Sequence, residues 1–231
     1  MKSQHLIWDL PLRLFHWLLV LTFIALWASA EMGSEYMQYH MYAGYFMLFL
    51  LTFRVVWGIA GTKHAQFLSF FPTPARLKAY LKPSENIAKR EPAGHNPLGA
   101  MMVFAMILLL FTQAVSGLFI TDDVFSSGPY YGSVGGDLET LFNRLHDICF
   151  TLIQACIALH LVALAFYKFT KKKSLVQAMF TGKKSSADVK KEDAINSSKL
   201  VTAIVLAIIV AVFVYWLVVI NAPVIEDYYY Y

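Results

Sequence analysis

The chain has 231 residues, of which 58% are hydrophobic and only 15% are charged, and its formal net charge is +4. A soluble domain averages about 25% charged residues, so this composition excludes an ordinary soluble globular protein and is typical of a membrane protein. The modest positive charge does not indicate a nucleic acid partner, because the lysines are concentrated in particular loops.

Five stretches are long and apolar enough to cross a bilayer, which takes about 20 apolar residues. They run from about Leu14 to Ala30, Met41 to Ala60, Leu98 to Ile120, Leu145 to Phe169 and Leu200 to Ile220. Helices satisfy every backbone polar group internally, so they are the expected form in hydrocarbon. The sequence therefore predicts an all-α transmembrane bundle of four or five helices.

The first stretch ends in Ala28-Ser29-Ala30, which resembles a signal-peptidase site after an apolar run. Cleavage there would remove the first helix. The segment before it, from Trp8 to Trp17, is too aromatic for the ordinary start of a signal peptide. We therefore expect the first helix to be retained.

Basic residues predict the orientation, because short loops rich in Lys and Arg stay in the cytoplasm. The basic residues before the first span and between the second and third are Lys2, Arg13, Lys63, Arg76, Lys78, Lys82, Lys89 and Arg90. Nine lysines, from Lys168 to Lys199, lie between the fourth and fifth spans. We expect the N-terminus inside the cell and the C-terminus outside.

Four of the seven histidines lie in or at the edge of predicted spans: His16, His40, His146 and His160. Ionisable residues within membrane helices are rare and usually functional. His146 and His160 are 14 residues apart on the fourth span. Helix geometry places them about 40° apart around the axis and about 21 Å apart along it, so they face the same way near opposite sides of the bilayer.

The direction in which each helix crosses the membrane predicts the depth of its histidines in the bilayer, and the four histidines then fall into two pairs of equal depth. His16 is expected beside His160 in the inner half, and His40 beside His146 in the outer half. Two histidines on facing helices can bind a flat porphyrin through both axial positions of its iron. A single such histidine could equally be a satisfied core residue, and zinc would need three or four clustered ligands. Two depth-matched pairs favour two haem groups.

Covalent attachment of haem is not expected. Cys149 and Cys156 do not form a Cys-x-x-Cys-His attachment site. Both are interpreted as buried free thiols.

Glycines and arginines near the histidines fit a flat, acidic cofactor, and each also fits a purely structural role. Gly44 and Gly117 would let a ring approach the backbone, or would simply allow tight helix packing. Arg13, Arg54 and Arg144 lie near helix ends, where haem propionates should emerge. Membrane anchoring accounts for Arg13 and Arg54 almost as well, so Arg144 is the better candidate.

Several motifs together resemble the bacterial cytochrome b561 family, which is related to the cytochrome b subunits of nickel–iron hydrogenases. The matching segments are Trp8-Asp9-x-Pro11-x-Arg13-x-x-His16-Trp17, His40-x-x-x-Gly44-Tyr45, Gly94-His95-Asn96-Pro97-Leu98-Gly99-Ala100, Gly117-Leu118-Phe119-x-x-Asp122-Asp123, and His146 with His160 followed by Ser174-Leu175-Val176-x-x-Met179-x-Thr181-Gly182. The resemblance covers about residues 6 to 184. It implies two b haems on the four histidines, and electron transfer involving quinone or a periplasmic redox partner.

The resulting expectation is a four-helix di-haem domain over residues 1–184, a polar lysine-rich cytoplasmic linker over 185–199, and a fifth transmembrane helix with a short periplasmic tail over 200–231. The fifth helix carries no histidine, so it is not expected to bind haem. It could pack against the four-helix core or against another subunit. The tail ends in Tyr228 to Tyr231.

We predict a di-haem cytochrome of the bacterial inner membrane that moves electrons between quinone and a periplasmic partner such as a c-type cytochrome. Whether it acts as a quinol oxidoreductase in its own right is left open. A second hypothesis is the haem-bearing membrane anchor of a larger oxidoreductase such as a nickel–iron hydrogenase. A transporter should show inverted repeats and broken helices, and neither is found. The family resemblance also allows a homodimer.

Two further features can each be interpreted in more than one way. The predicted outer acids are Glu31, Glu35, Asp122, Asp123, Asp137, Glu139, Glu226 and Asp227. They form either a solvated face or a docking surface for a basic redox partner. His95 precedes Asn96, an expected helix N-cap, and Pro97. His95 either helps to build that turn, or it contacts a propionate or assists quinone protonation.

Overall fold

The computed structural model describes residues 4–82, 92–124, 126–186 and 189–223. In chain order its elements are β1 (Gln4–Leu6), α1 (Leu10–Glu31), a 3₁₀ turn (Ser34–Tyr36), α2 (Met37–Ala60), α3 (Phe67–Phe70), α4 (Pro74–Leu81), α5 (Pro97–Ser116), α6 (Gly136–Phe169), α7 (Leu175–Thr181), β2 (Lys183–Ser185), a second 3₁₀ turn (Lys191–Asp193), α8 (Leu200–Tyr215) and a π-helical turn (Trp216–Ile220). The acids Glu226 and Asp227, the tail Tyr228 to Tyr231 and the basic residues Lys2, Lys89 and Arg90 lie outside the described residues.

Five helical segments are long and apolar enough to cross a membrane. They are α1, α2 with the turn before it, α5, α6, and α8 with the π-helical turn after it. Many of their large apolar side chains are exposed, among them Leu21, Ile59 and Val201. This arrangement suits helices surrounded by lipid, where outward apolar side chains carry no penalty. The structure is therefore consistent with the predicted all-α membrane protein, and its described residues contain five candidate spanning helices.

Four helix boundaries differ from the apolar pattern, and α1 and α2 each begin four residues earlier than predicted, at Leu10 and Met37. Helix α6 begins at Gly136, nine residues before the predicted Leu145, because a helix can continue beyond the hydrocarbon with polar residues. Helix α5 ends at Ser116 and not at Ile120. Its start agrees with the expectation, since the Oδ1 atom of Asn96 accepts the backbone N–H of Gly99 at 2.7 Å.

The chain divides into two compact units, and several helices contribute to both. The first unit comprises Met1–Trp17, Phe53–Ile107 and Ala155–Leu206. The second comprises Leu18–Thr52, Leu108–Gln154 and Ala207–Tyr231.

In the first unit, β1 pairs antiparallel with β2, with Gln4 opposite Ser185. The chain after β2 stays packed on this unit, where the Ile195 N–H donates to the Leu6 carbonyl at 2.8 Å. Lys63 and Asp193 add a 2.9 Å ion pair. The described part of the predicted linker is therefore ordered against the helix ends.

The family motif near residue 180 closes the same unit. The Ser174 side chain caps the start of α7, and Gly182 ends it with a φ of 78°. A Cβ at Gly182 would lie 2.6 Å from the Trp8 carbonyl oxygen, so only glycine suits both this backbone conformation and this close approach. The Gly182 carbonyl in turn accepts the N–H groups of Ile7 and Trp8.

In the second unit, the end of the fifth spanning segment packs on its own chain. Val210, Val214 and Val218 form a buried stripe at four-residue spacing, as expected for one face of a helix. The Tyr130 hydroxyl donates to the Leu217 carbonyl at 2.8 Å. Of the two alternatives for the fifth helix, these contacts support packing within the chain.

Candidate cofactor site

His40, in the first turn of α2, and His146, in α6, lie together in the second unit. Their ring centroids are 6.4 Å apart and their planes meet at 64°. Both rings are partly buried. The structure thus brings together the two histidines that the sequence assigns to the outer site.

Each of these rings is held through its Nδ1 atom. The Nδ1 of His40 lies 2.9 Å from the Leu26 carbonyl oxygen, and the Nδ1 of His146 lies 3.1 Å from that of Gln113. A carbonyl oxygen can only accept, so we assign the proton of each neutral ring to Nδ1. The Nε2 atoms then carry the free lone pairs, which is the arrangement usual for metal-bound histidine.

Two serines complete the surroundings of these nitrogens. Ser116 Oγ lies 3.1 Å from the Nδ1 of His146, and Ser29 Oγ lies 3.4 Å from that of His40. Neither serine was a predicted site residue. Ser29 lies in the segment that resembles a signal-peptidase site, and Ser116 directly precedes Gly117. In the sequence, only their positions next to these motifs could have suggested a role at the site.

The two predicted glycines lie in different surroundings. A Cβ added to Gly44 would meet nothing within 4 Å, whereas a Cβ added to Gly117 would lie 3.2 Å from the Cε1 of His146. Gly44 therefore borders open space one turn after His40, and Gly117 allows the His146 ring to approach α5. Both observations fit a flat cofactor held by these two imidazoles.

His16 and His160 form the corresponding pair in the first unit. Both belong to that unit, and the Nδ1 of His16 is buried without a hydrogen-bond partner among the described residues. The His16 ring meets Trp17 edge-on at 5.0 Å, and Trp17 stacks on Phe180 at 4.3 Å. The aromatic rings therefore restrict the position of His16 where hydrogen bonds do not.

The three predicted arginines differ in burial. Arg54 is only 2% exposed, and the structure gives no hydrogen bond to its Nη1 and Nη2 atoms within the described ranges. Arg13 donates through Nη1 to the Phe180 carbonyl, while its Nε is buried and has no hydrogen-bond partner in the described part of the chain. Arg144 is exposed. The preference for Arg144 as a propionate ligand gains no support from this geometry.

The donor set favours haem over a protein-only metal site. The described residues contain no group of three or more His, Cys, Asp or Glu side chains that could hold a metal ion, whereas zinc sites use three or four protein ligands. Cys149 and Cys156 are free thiols, but only Cys149 is buried as expected. Pairs of histidines without further protein ligands fit a metal whose remaining ligands come from a porphyrin.

Two further histidines lie outside the membrane-spanning segments. His64 is buried and its Nε2 lies 2.7 Å from the Asp193 carbonyl oxygen. The ring of His95 lies between those of Trp8, at 4.8 Å, and Phe70, at 4.6 Å. Burial is the main cause that lowers the pKa of both imidazoles below the ordinary value, so both are neutral at pH 7.

Comparison with known proteins agrees with this donor set. The model of the prokaryotic cytochrome b561 family matches residues 7–182, and a comparison with curated proteins found no match. The matched range contains all four paired histidines and four of the five spanning helices. The chain therefore belongs to the prokaryotic cytochrome b561 family, whose members are membrane proteins that transfer electrons through haem b.

Proposed function

We propose that the chain is a di-haem cytochrome b that transfers electrons between the membrane quinone pool and a periplasmic redox partner such as a c-type cytochrome. The observation that carries this proposal is the geometry of His40 and His146. Their rings lie 6.4 Å apart and each Nδ1 is bound to a carbonyl oxygen. Two imidazoles with free Nε2 atoms are the axial donor set of a bis-histidine haem.

The second haem is assigned to His16 and His160, with the first on His40 and His146. When bound, haem supplies the one-electron chemistry. The chain's own residues fix the tautomer and orientation of each ligand and set the polarity around it. Leu26 and Gln113 contribute through their carbonyls, Gly44 by leaving room for a flat ring, and Gly117 by letting the His146 ring approach α5.

Helix α6 provides one ligand to each pair. It runs without interruption from Gly136 to Phe169 and carries His146 and His160 14 residues apart. In this proposal, one continuous helix carries one ligand of each haem. This supports electron transfer along the helix as its function.

Localisation and partners complete the proposal. The charge pattern supports an inner-membrane protein with its N-terminus in the cytoplasm and its C-terminus in the periplasm. In the first turn of α6, Asp137 is exposed and Glu139 is half-buried, and with the other outer acids they would attract a basic partner. A homodimer is compatible with the lipid-facing helices. The domain limits at residues 184 and 199 are part of the same proposal.

Haem counting in purified variants tests the two-site assignment. Wild-type protein should contain two haems per chain, and His16→Ala and His40→Ala should each contain one, with a bis-histidine low-spin spectrum. His5→Ala is the control, because His5 belongs to neither pair. A single haem in the wild type, or two in His40→Ala, would refute the assignment.

Rapid-mixing kinetics tests the electron-transfer route. Quinol should reduce both haems of the wild type, and an oxidised basic c-type cytochrome should then reoxidise them at a rate that falls with ionic strength. Failure of quinol to reduce either haem, together with co-purification of a metal-containing catalytic subunit, would favour the anchor of a larger oxidoreductase instead.

A further inference from the structure

Arg54 is a buried cation without a bound anion among the described residues. Its side chain is 2% exposed, and neither Nη1 nor Nη2 has a hydrogen-bond partner there. Arginine does not lose its proton in proteins. A buried charge whose hydrogen bonds are not satisfied is strongly unfavourable, so the guanidinium requires an acceptor from elsewhere.

The carboxylate of Asp9 does not fill this role. Asp9 interacts electrostatically with Arg54, but its oxygen atoms already accept hydrogen bonds from Leu12 N–H at 2.7 Å, from Trp57 Nε1 at 3.2 Å and from the Thr62 hydroxyl. Asp9 therefore offsets part of the charge and leaves the donors of Arg54 free. The Phe67 ring covers one face of the Arg54 guanidinium, with its centroid 4.4 Å from Cζ. The N–H groups lie in the guanidinium plane, so they stay available to a ligand at its edge.

A second unsatisfied nitrogen belongs to His95, in the turn before α5. Its Nδ1 is buried and lacks a hydrogen-bond partner in the described part of the chain, while Trp8 and Phe70 restrict the ring. Both residues belong to the first unit. The Phe67 ring that lies over Arg54 is 6.0 Å from the Phe70 ring, which is itself 4.6 Å from the His95 ring. Helix α2 and the turn before α5 thus bring unsatisfied nitrogen atoms against adjoining aromatic rings, and a neutral His95 can donate from Nδ1 when its proton is there.

The number and type of these donors indicate the ligand. A carboxylate has two oxygens, can be bound by both arms of a guanidinium, and can accept a further N–H on a remaining lone pair. Asp9 marks where this ligand lies relative to the proposed inner haem. It lies directly before α1 and seven residues before His16, which corresponds to about 10 Å along the helix axis.

We propose that Arg54 and His95 together form a buried carboxylate-binding site that holds a propionate group of the haem carried by His16 and His160. The inference rests on the proposed function, because it requires haem at that pair. It assigns His95 a part in cofactor binding in addition to its place in the turn, and it gives Arg54 a specific anion.

The test compares protohaem with its dimethyl ester, whose propionates cannot accept a charge-assisted pair of hydrogen bonds. Apo-protein carrying His40→Ala, which retains only the inner site, is reconstituted in detergent with each form. Arg54→Gln and His95→Gln are added singly and together. Exposed Arg76, on α4, provides the matched control as Arg76→Gln. The dissociation constant for each haem is measured by absorbance titration.

In the His40→Ala parent and the Arg76→Gln control, esterification should weaken haem binding about ten- to a hundred-fold. Arg54→Gln should weaken binding of free-acid haem by a similar factor and show almost no further loss with the ester. His95→Gln should weaken binding of free-acid haem by a smaller factor. Its further loss with the ester should also be smaller than that of the parent. Infrared redox-difference spectra with ¹³C-labelled propionates should show a carboxylate band that shifts in Arg54→Gln.

Equal loss on esterification in the parent and in Arg54→Gln, with an unshifted carboxylate band, would overturn the inference. That result would mean that Arg54 has an anion other than a haem propionate. If Arg54→Gln does not fold, Arg54→Lys takes its place, since it keeps the charge but not the two-armed geometry. With Arg54→Lys, esterification should weaken haem binding by less than it does in the parent. Failure of the proposed function is distinct, since the His40→Ala parent would then bind no haem at all.

Discussion

The indole Nε1 of Trp57 donates to the Oδ1 atom of Asp9 over 3.2 Å, and both side chains are fully buried. This contact joins the residue before α1 to the last turn of α2. The Thr62 hydroxyl and the Leu12 N–H donate to the same carboxylate. Every donor that Asp9 binds would lose its acceptor if the carboxylate were removed, so Asp9 is a principal structural residue of the first unit.

Replacing Asp9 by Ala should destabilise the protein strongly. The change leaves two buried side-chain donors unpaired and removes the charge that faces Arg54, so we expect a loss of about 3 kcal/mol or more. The measurement is thermal unfolding in detergent, followed by circular dichroism. Exposed Asp137→Ala is the control and should change stability by less than about 1 kcal/mol. Equal stability of the two variants would contradict this role.

Alanine substitutions at Gly117 and Gly44 should have different effects on apo-protein stability and on haem binding. In Gly117→Ala the new methyl group would press on the His146 ring, 3.2 Å from its Cε1, so both apo-protein stability and haem binding should fall. In Gly44→Ala the new methyl group enters open space. Gly44→Ala should therefore leave the apo-protein unchanged and weaken only haem binding, as measured by absorbance titration. Unchanged haem affinity in Gly44→Ala would place the flat ring elsewhere.

Removing the Ser116 hydroxyl should have a smaller effect than removing a ligand. Ser116→Ala leaves the Gln113 carbonyl as an acceptor for the Nδ1 of His146, so the ring keeps its tautomer. We expect about a ten-fold loss of haem affinity, at the lower end for groups that orient a metal ligand. Thr112→Ala, whose hydroxyl bonds only the Leu108 carbonyl among the described residues, is the matched control. Complete loss of the outer haem would show that Ser116 does more than orient His146.

The ion pair of Lys63 and Asp193 should contribute stability that depends on pH. The hydrogen bond from Lys63 is the main cause that lowers the pKa of the Asp193 carboxyl below its ordinary value of 3.8. A lowered carboxyl pKa stabilises the folded state above the unfolded pKa, and this contribution is lost as the pH falls through the folded one. The side chains are 53% and 38% exposed, so we expect at most about 1 kcal/mol.

Lys63→Met should therefore be slightly less stable than the wild type at pH 7, and the difference should shrink as the pH is lowered below 3.8. Equilibrium unfolding at several pH values measures it. Exposed Lys171→Met is the control for loss of a cytoplasmic lysine. A difference that persists unchanged at low pH would mean that Lys63 stabilises the protein through its contact with the Glu192 carbonyl and not through the ion pair.

The histidine pairs could be predicted because helical periodicity and membrane topology act on every residue in the same way. Apolar runs locate the helices, and a spacing of 14 residues determines both depth and face on α6. The preference for Asn at an N-cap, with Pro at the next position, predicted the Asn96 cap, which is a local interaction over three residues. The assignment of each pair to a haem stays a prediction for the haem-counting experiment.

The groups around the histidines could not be predicted in this way. Ser29, Leu26 and Gln113 contact a histidine only because neighbouring helices have a particular rotation and separation, which side-chain packing determines. The unpaired donors of Arg54 and His95 are likewise invisible in the sequence, because either residue could have found a partner within the chain. Apolar content also does not reveal where α6 begins, since its first nine residues mix apolar side chains with Asp137, Glu139 and Arg144.

The pairing of β1 with β2 has a consequence for biosynthesis. Gln4 and Ser185 are partners, and four of the spanning segments lie between them. An even number of crossings is required if both strands are to reach the same compartment. The first strand leaves the ribosome long before its partner is made, so it must wait until the fourth segment has been inserted. A nascent chain arrested before residue 183 should therefore leave its first residues open to protease, and release of the full-length chain should protect them.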